Sequence, residues 1–214
     1  MKTDLEKIID LIKKEIPFSL IRFGDGEKNI LDNIPCKRKG FEFNSEHPMN
    51  KLFRSELQES LEYKSKNYFV GTNHPDLKKQ VKSQNISASL FVNANYLVFL
   101  EKMIPILRKR EAILICHIDG KIHKLPFELE KKYTLYNQAW LHEDCIEDYI
   151  LNYLSLKKKQ RIVLVAGGPF SNVLIHRLWK INKRHIFLDV GSVFDTFLFG
   201  KNTRKYHERL NNVS

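Results

Sequence analysis

Phe18-Ser19-Leu20-Ile21-Arg22-Phe23-Gly24-Asp25-Gly26-Glu27 decides the reading of this chain: an apolar run of strand length opens onto two glycines alternating with two acids. Short runs of this kind suit a strand covered on both faces, as in a parallel sheet. In open parallel sheets, ligands bind in the loops at the carboxyl ends of the strands. Upstream, Leu5, Ile8, Ile9, Ile12 and Ile16 recur at helical spacing, Thr3 with Glu6 forms a capping box, and Pro17 ends the helix. Downstream, a polar, basic stretch (Lys37-Arg38-Lys39) leads to a second helix. Ser45 and Pro48 open it, and Met49, Leu52, Phe53, Leu57 and Leu61 form its inner face.

The alternation continues. Tyr68-Phe69-Val70 reads as a strand closed by Gly71 and Pro75, residues 91–107 as an apolar helix, and Ala112 to Cys116 as a buried strand before an Asp119-Gly120 turn. A helix follows over 143–156, then the strand Arg161 to Ala166, a helix from Ser171 to about Ile181, and a last strand from His185 to Val190. The tail from Lys201 is basic and polar. No repeat, low-complexity tract or linker divides the chain. The sequence predicts one α/β domain with a Rossmann-like, mostly parallel sheet flanked by helices.

With 214 residues, 43% hydrophobic and 29% charged content, 9 Gly and 7 Pro, fibrous and disordered classes are excluded. A chain of this length buries about 70% of its unfolded surface. The net charge of +11 favours an anionic partner: nucleic acid, acidic lipid or a phosphorylated small molecule. Cys36, Cys116 and Cys145 are odd in number and widely spaced, which suits a reducing compartment. The N-terminus carries acids and lysines throughout, and no apolar run approaches the ~20 residues of a membrane helix. A soluble, cytoplasmic protein is expected.

Three loops carry potential chemistry. In the first, Asp25 and Glu27 share a face if the chain is extended, and Gly24 and Gly26 let the backbone approach a ligand. Such hard oxygen donors suit Mg²⁺ or Mn²⁺ held jointly with a diphosphate. Arg22 would bond a phosphate or brace a carboxylate. The plainer reading is an Asp-Gly turn, with Glu27 favoured by the start of a helix. The second loop, Gly167-Gly168-Pro169 leading to Ser171, has the glycines and capped helix start that favour phosphate, without the Gly-Lys-Ser/Thr of a P-loop. In the third, Asp189 and Asp195 flank Gly191 and Ser192 and could bond ribose, sugar hydroxyls or a metal; Asp189 equally suits a cap.

Taken in order, R-F-G-D-G-E (Arg22–Glu27), N-Q-A-W (Asn137–Trp140), L-V-A-G-G-P (Leu164–Pro169) and L-D-V-G-S (Leu188–Ser192) resemble the GT-D-type glycosyltransferase family, first catalogued as a bacterial domain of unknown function. The resemblance spans roughly Phe18 to Asp195, with R-F-G-D-G-E its specific part. It implies a GT-D-type glycosyltransferase fold and transfer from a nucleotide-sugar donor, a UDP-sugar being expected. Asp25 and Glu27 fall on the element involved in donor and metal binding, and Gly168-Pro169 and Asp189-Val190-Gly191 on the later donor loops. The chain departs from the commoner wording at Phe170-Ser171-Asn172 and has Ser192 where histidine is frequent. Donor base, sugar and catalytic base therefore do not carry over.

The expected site is thus catalytic Asp25, Glu27 and Asp189, with Arg22, Gly24, Gly26, Gly167, Gly168, Pro169, Ser171, Gly191, Ser192 and Asp195 around the donor. Asp189 and Asp195 are the candidate bases for an acceptor hydroxyl on a glycan, glycoprotein or lipid-linked carrier. The eight histidines show no metal-binding spacing. His117 and His142 lie near predicted loops, although surface or capping roles are simpler for all eight. Cys116 reads as a core residue, and Trp140 either packs or stacks on a ring. Basic clusters at 108–110, 157–161 and 183–184 read as solvated edges, some drawn to anionic lipid. Two other readings compete: an S-adenosylmethionine-dependent methyltransferase, from the glycine loop after Val163, and a basic nucleic-acid-binding module, which lacks any matching aromatic or helix-turn-helix motif.

Overall fold

The computed structural model describes residues 2–38, 40–142 and 145–212. In chain order its elements are α1 (Asp4–Lys13), β1 (Phe18–Phe23), α2 (Asp25–Leu31), β2 (Cys36–Arg38), β3 (Phe41–Phe43), α3 (Pro48–Glu62), β4 (Tyr68–Thr72), α4 (Pro75–Gln80) and β5 (Gln84–Ile86). They continue with α5 (Tyr96–Lys109), β6 (Ala112–His117), β7 (Lys131–Leu135), α6 (Ala139–His142), α7 (Ile146–Ser155), β8 (Ile162–Ala166), α8 (Phe170–Ile181), β9 (Ile186–Asp189) and α9 (Asp195–Phe199). Seven strands form one sheet in the order β5-β4-β1-β9-β8-β6-β7, and every pairing in it is parallel. β2 and β3 make a separate antiparallel hairpin.

Alternation along the strands divides the core in two. Ile21 and Phe23 of β1, with Val163 and Val165 of β8, face α3, α7, α8 and the hairpin. Phe18 and Leu20, with Ile162 and Leu164, face α1, α5 and α9. Side chains of successive strand residues point to opposite faces, so unbroken apolar runs are what a doubly covered sheet requires. The Thr3–Glu6 capping box forms, and Leu5, Ile8, Ile9 and Ile12 are the buried stripe of α1.

Several boundaries differ from the sequence reading. α3 is capped by His47, whose Nδ1 accepts from the Met49 N–H, rather than by Ser45. Met49 and Leu52 are exposed on α3, while Asn50 and Ser60 share its buried face with Phe53, Leu57 and Leu61. The helix expected over 91–107 starts only at Tyr96, after a short 3-10 turn at Asn93–Asn95. The helix expected over 143–156 is observed as α7; residues 143 and 144 lie outside the described residues, as does Lys39 of the basic stretch. Neither the hairpin nor α4, β5 and β7 was predicted.

The basic clusters are not all solvated edges. Arg161 is buried and pairs with Glu130 and Glu111, and Arg110 donates to the Ile12 carbonyl at 2.9 Å and to Gln160 at 2.8 Å. Histidines depart further from the surface role: His176, His185 and His207 are all buried. Cys116 is a core residue as read, and Trp140 packs between Phe41 and Phe53 while its indole N–H donates to Asn50 at 2.8 Å. Among the described residues, no helix is long and apolar enough to cross a membrane.

Candidate active site

Parallel strands bring their outgoing loops to one edge. In sheet order the carboxyl edge presents His74 after β4, Asp25 and Glu27 after β1, Asp189 to Ser192 at the end of β9, Gly167 to Pro169 after β8, His117 ending β6 and Asn137 after β7. The three loops singled out in the sequence are therefore the three central ones, as the fold rule for ligand sites would have it.

β1 and β9 pair only over Phe18–Leu20 and Ile186–Leu188, then part, while β1 stays paired to β4 as far as Phe23. Asn172 of α8 fills the gap. Its Oδ1 accepts from the Arg22 N–H at 3.2 Å, and its Nδ2 donates to the Arg22 carbonyl at 2.9 Å. The clamp satisfies both backbone groups that a neighbouring strand would otherwise have taken.

Arg22 lies across this opening. Its Nε donates to the Asp189 carbonyl at 2.9 Å and stands 3.4 Å from Asp189 Oδ2, while Nη1 reaches the Ala88 carbonyl at 3.4 Å and the guanidinium covers the Phe91 ring. Of the two readings of Arg22, the structure displays the carboxylate brace. Asp189 is buried, and its Oδ1 accepts from the Gly191 N–H at 2.9 Å. Burial raises its pKa, and Arg22 works against that rise.

The first loop is helical rather than extended. Gly24 is the N-cap of α2, and the helix starts at Asp25. Residues two apart on a helix do not face each other, so the acids diverge. Asp25 points outward, its side chain 87% exposed, and meets His74 Nε2 at 3.2 Å. Glu27 turns back, its Oε2 accepting from the Gly24 N–H at 2.9 Å in a capping-box geometry. Although the residue is partly exposed, its carboxyl faces inward; burial, assisted by the charge of Asp189, pushes its pKa to about 7 against the lowering effect of the Glu27 and Gly24 N–H groups and, less, of Arg22. Two inward carboxyl groups thus face one guanidinium. No Cβ contact constrains Gly26.

In the second loop, Ser171 is buried and its Oγ accepts from the Gly167 N–H at 2.8 Å, holding the turn from within. Gly168 takes φ +58° and Pro169 is the N-cap of α8. The third loop is strapped by the C-terminal segment. Ser192 Oγ and Tyr206 Oη lie 2.6 Å apart, His207 Nε2 contacts the Ser192 carbonyl at 2.9 Å, and Thr203 Oγ1 donates to Asp195 Oδ2 at 2.6 Å. Burial pushes the Asp195 carboxyl up to about 6. Arg22, Glu27 and Asp189 are therefore brought together, whereas Asp25 stands at the rim and Asp195 is tied into the strap.

Sequence reasoning missed His74 and Asn172. His74 precedes Pro75 at the start of α4 and resembles any capping residue; Asn172 sits inside a helix and reveals itself only through the gap between strands. At the far end of the edge, His117 Nε2 contacts Asn137 Oδ1 at 3.0 Å. Gln138 (φ +57°) links this segment to the hairpin through the Gly40 carbonyl and the Glu42 N–H. The side chain of His142 lies outside the described residues.

No family model and no curated protein matches the sequence. Solved structures do match. A domain of unknown function 1792, described as having a distinct glycosyltransferase fold, superposes with a TM-score of 0.59 at 18% identity, over 92% of this chain and 80% of its own. A new glycosyltransferase of the same domain type, from Streptococcus sanguinis, gives a TM-score of 0.65 at 14% identity, over 92% and 84%. The fold is that of these glycosyltransferase-fold domains.

Proposed function

We propose that the protein is a glycosyltransferase that moves a sugar from a nucleotide-sugar donor, a UDP-sugar by preference, to a hydroxyl of a glycan, glycoprotein or lipid-linked acceptor in surface glycan or glycoprotein synthesis. The observation that carries this reading is the Arg22–Glu27–Asp189 cluster, set at the central strands' carboxyl edge in a sheet of glycosyltransferase fold.

Among the described residues, no three His, Cys, Asp or Glu side chains are grouped to hold a metal. Mg²⁺ and Mn²⁺ sites at phosphates commonly take only one or two protein carboxylates, the rest being phosphate and water. The donor set fits that pattern: Glu27 and Asp189 present more negative charge than Arg22 offsets, and Asp25 stands at the rim. In this reading Glu27 would hold the ion with the donor's diphosphate from inside the cluster, with Asp25 reaching it from the rim through water, and the ion, when bound, would stabilise the charge developing on the leaving diphosphate. Arg22 holds Asp189 in place and opposes the rise in its pKa that burial causes. The Gly167-Gly168 turn and Gly191 line the approach to the donor, and Asp189 is placed to take a proton from the acceptor hydroxyl.

Thermal shift with UDP, GDP, CMP and S-adenosylmethionine, each with and without Mn²⁺, tests the reading. A nucleotide at ~100 times its dissociation constant stabilises by about 2.7 kcal/mol. A Mn²⁺-dependent shift with a nucleoside diphosphate is expected, and Asp25→Asn or Glu27→Gln should abolish it while leaving a folded protein. Stabilisation by S-adenosylmethionine alone, without metal, would replace the transferase reading with a methyltransferase.

A further inference from the structure

We propose that the opposite, amino edge of the sheet is a docking surface for an anionic phospholipid bilayer. Helices that return the chain between parallel strands end at that edge, and helix C-termini favour cations. The result here is a concentration of charge. Lys14 follows α1, Lys66 precedes β4, Lys158 and Lys159 follow α7, and Lys183 and Arg184 follow α8. The strands they precede, β4, β1, β9 and β8, are consecutive in the sheet. All six side chains belong to exposed residues, and none is within ion-pair distance of a carboxylate among the described residues; the charge of Lys14 acts on Asp10, which Lys2 already holds. Nearby acids are already matched: Glu15 with Arg110, Glu111 with Arg161, and Glu130 with Arg161 and Lys157.

Two aliphatic side chains stand among these cations. Leu156 at the end of α7 is 80% exposed and Ile181 at the end of α8 is 65% exposed. The Arg184 guanidinium donates to the Lys157 carbonyl at 3.4 Å and Gln160 donates to the Arg184 carbonyl at 3.2 Å, so the two helix ends that carry them are joined. Apolar tips ringed by lysine and arginine suit a bilayer interface, where the tips enter the headgroup region and the cations meet lipid phosphate. A nucleic-acid backbone would use the cations but gain nothing from the aliphatic pair. Docking here leaves the candidate active site about 20 Å away, six strand residues of β1 at ~3.3 Å each, facing away from the membrane. The surface is independent of the transferase reading.

Flotation of the purified full chain with vesicles of phosphatidylcholine, alone or with phosphatidylglycerol, tests the proposal. Binding only to the anionic vesicles is expected, weakening as salt is raised. Each cation near an anionic surface contributes about a fivefold factor in affinity, so K158E/K159E/K183E/R184E should lose more than ~100-fold; if that variant melts early, K158E/K159E serves in its place. L156S/I181S should lose roughly tenfold with its salt sensitivity retained. Equal binding to neutral vesicles, or no binding, overturns the proposal. So does full vesicle affinity in L156S/I181S, and tighter binding of a single-stranded oligonucleotide by that variant would assign the surface to nucleic acid.

Discussion

A methyl group at Gly191 would lie 2.5 Å from Arg22 Nη2, and the residue already has φ +49°. Two independent demands therefore fall on one position: left-handed backbone and room for a guanidinium. Gly168 shares only the first, since at φ +58° its absent Cβ would meet nothing within 4 Å. The comparison separates backbone strain from crowding. Gly168→Ala should cost about 1 kcal/mol, the penalty of the left-handed region alone. Gly191→Ala should cost more, about 2–4 kcal/mol, because Arg22 must move and leave Asp189 buried without its brace. Urea unfolding of the two variants measures the difference, and equal losses would mean that Arg22 is not held as described.

At the scale of elements, the decisive contact joins a helix to a strand edge. Asn172 of α8 takes both backbone groups of Arg22, whereas its neighbour Ser171 holds one N–H of the Gly167 turn. Asn172→Ala should therefore destabilise by about 2–4 kcal/mol, leaving a donor and an acceptor of β1 unpaired beside the site, and Ser171→Ala by about 1 kcal/mol. Denaturant midpoints at constant slope would check both. This contact also marks how far the sequence was readable. β1, β6, β8 and the stripe of α1 were legible because apolar runs and helical spacing are local signals. β5 and β7 were not: Gln84–Ile86 and Lys131–Leu135 are largely polar edge strands, with one face or one side open to water. The three loops of the site were legible from their glycines and acids. Their relative geometry was not, because an N-cap at Gly24 turns Asp25 and Glu27 apart and only the sheet order brings Asp189 beside Glu27.

Over the whole molecule, buried titratable groups act on stability in opposite senses. Glu27, at about 7, and Asp195, at about 6, have folded pKa values above those of the unfolded chain, and burial raises Asp189 and Glu147 in the same direction, so the folded state binds more protons and stability falls as pH rises through roughly 4 to 7. Buried His185 is pushed down to about 4, and burial lowers His176 and His207 in the same direction. For these the unfolded state binds more protons, and stability rises as pH climbs to 6.5. Glu130 adds an acid limit: Lys157 and Arg161 overcome its burial and hold it at about 2, so its contribution disappears as pH falls from 4.5 towards 2. The opposing sets offset one another in the middle range. The melting temperature should thus change less between pH 5 and 6.5 than below 4.5, where it drops. Removing two of the raised carboxylates in a Glu27→Gln, Asp195→Asn variant, which keeps the acceptors for Gly24 and Thr203, leaves the histidines opposed only by Asp189 and Glu147. Each uncancelled proton is worth about 1.4 kcal/mol per pH unit. For a domain of this size that converts to a gain of roughly 5–10 °C over the parent's own change between pH 5 and 6.5. A scan of melting temperature against pH for both proteins decides it: parallel curves would mean that Glu27 and Asp195 keep ordinary pKa values, and Glu27 would then be fully ionised at neutral pH rather than half-neutral.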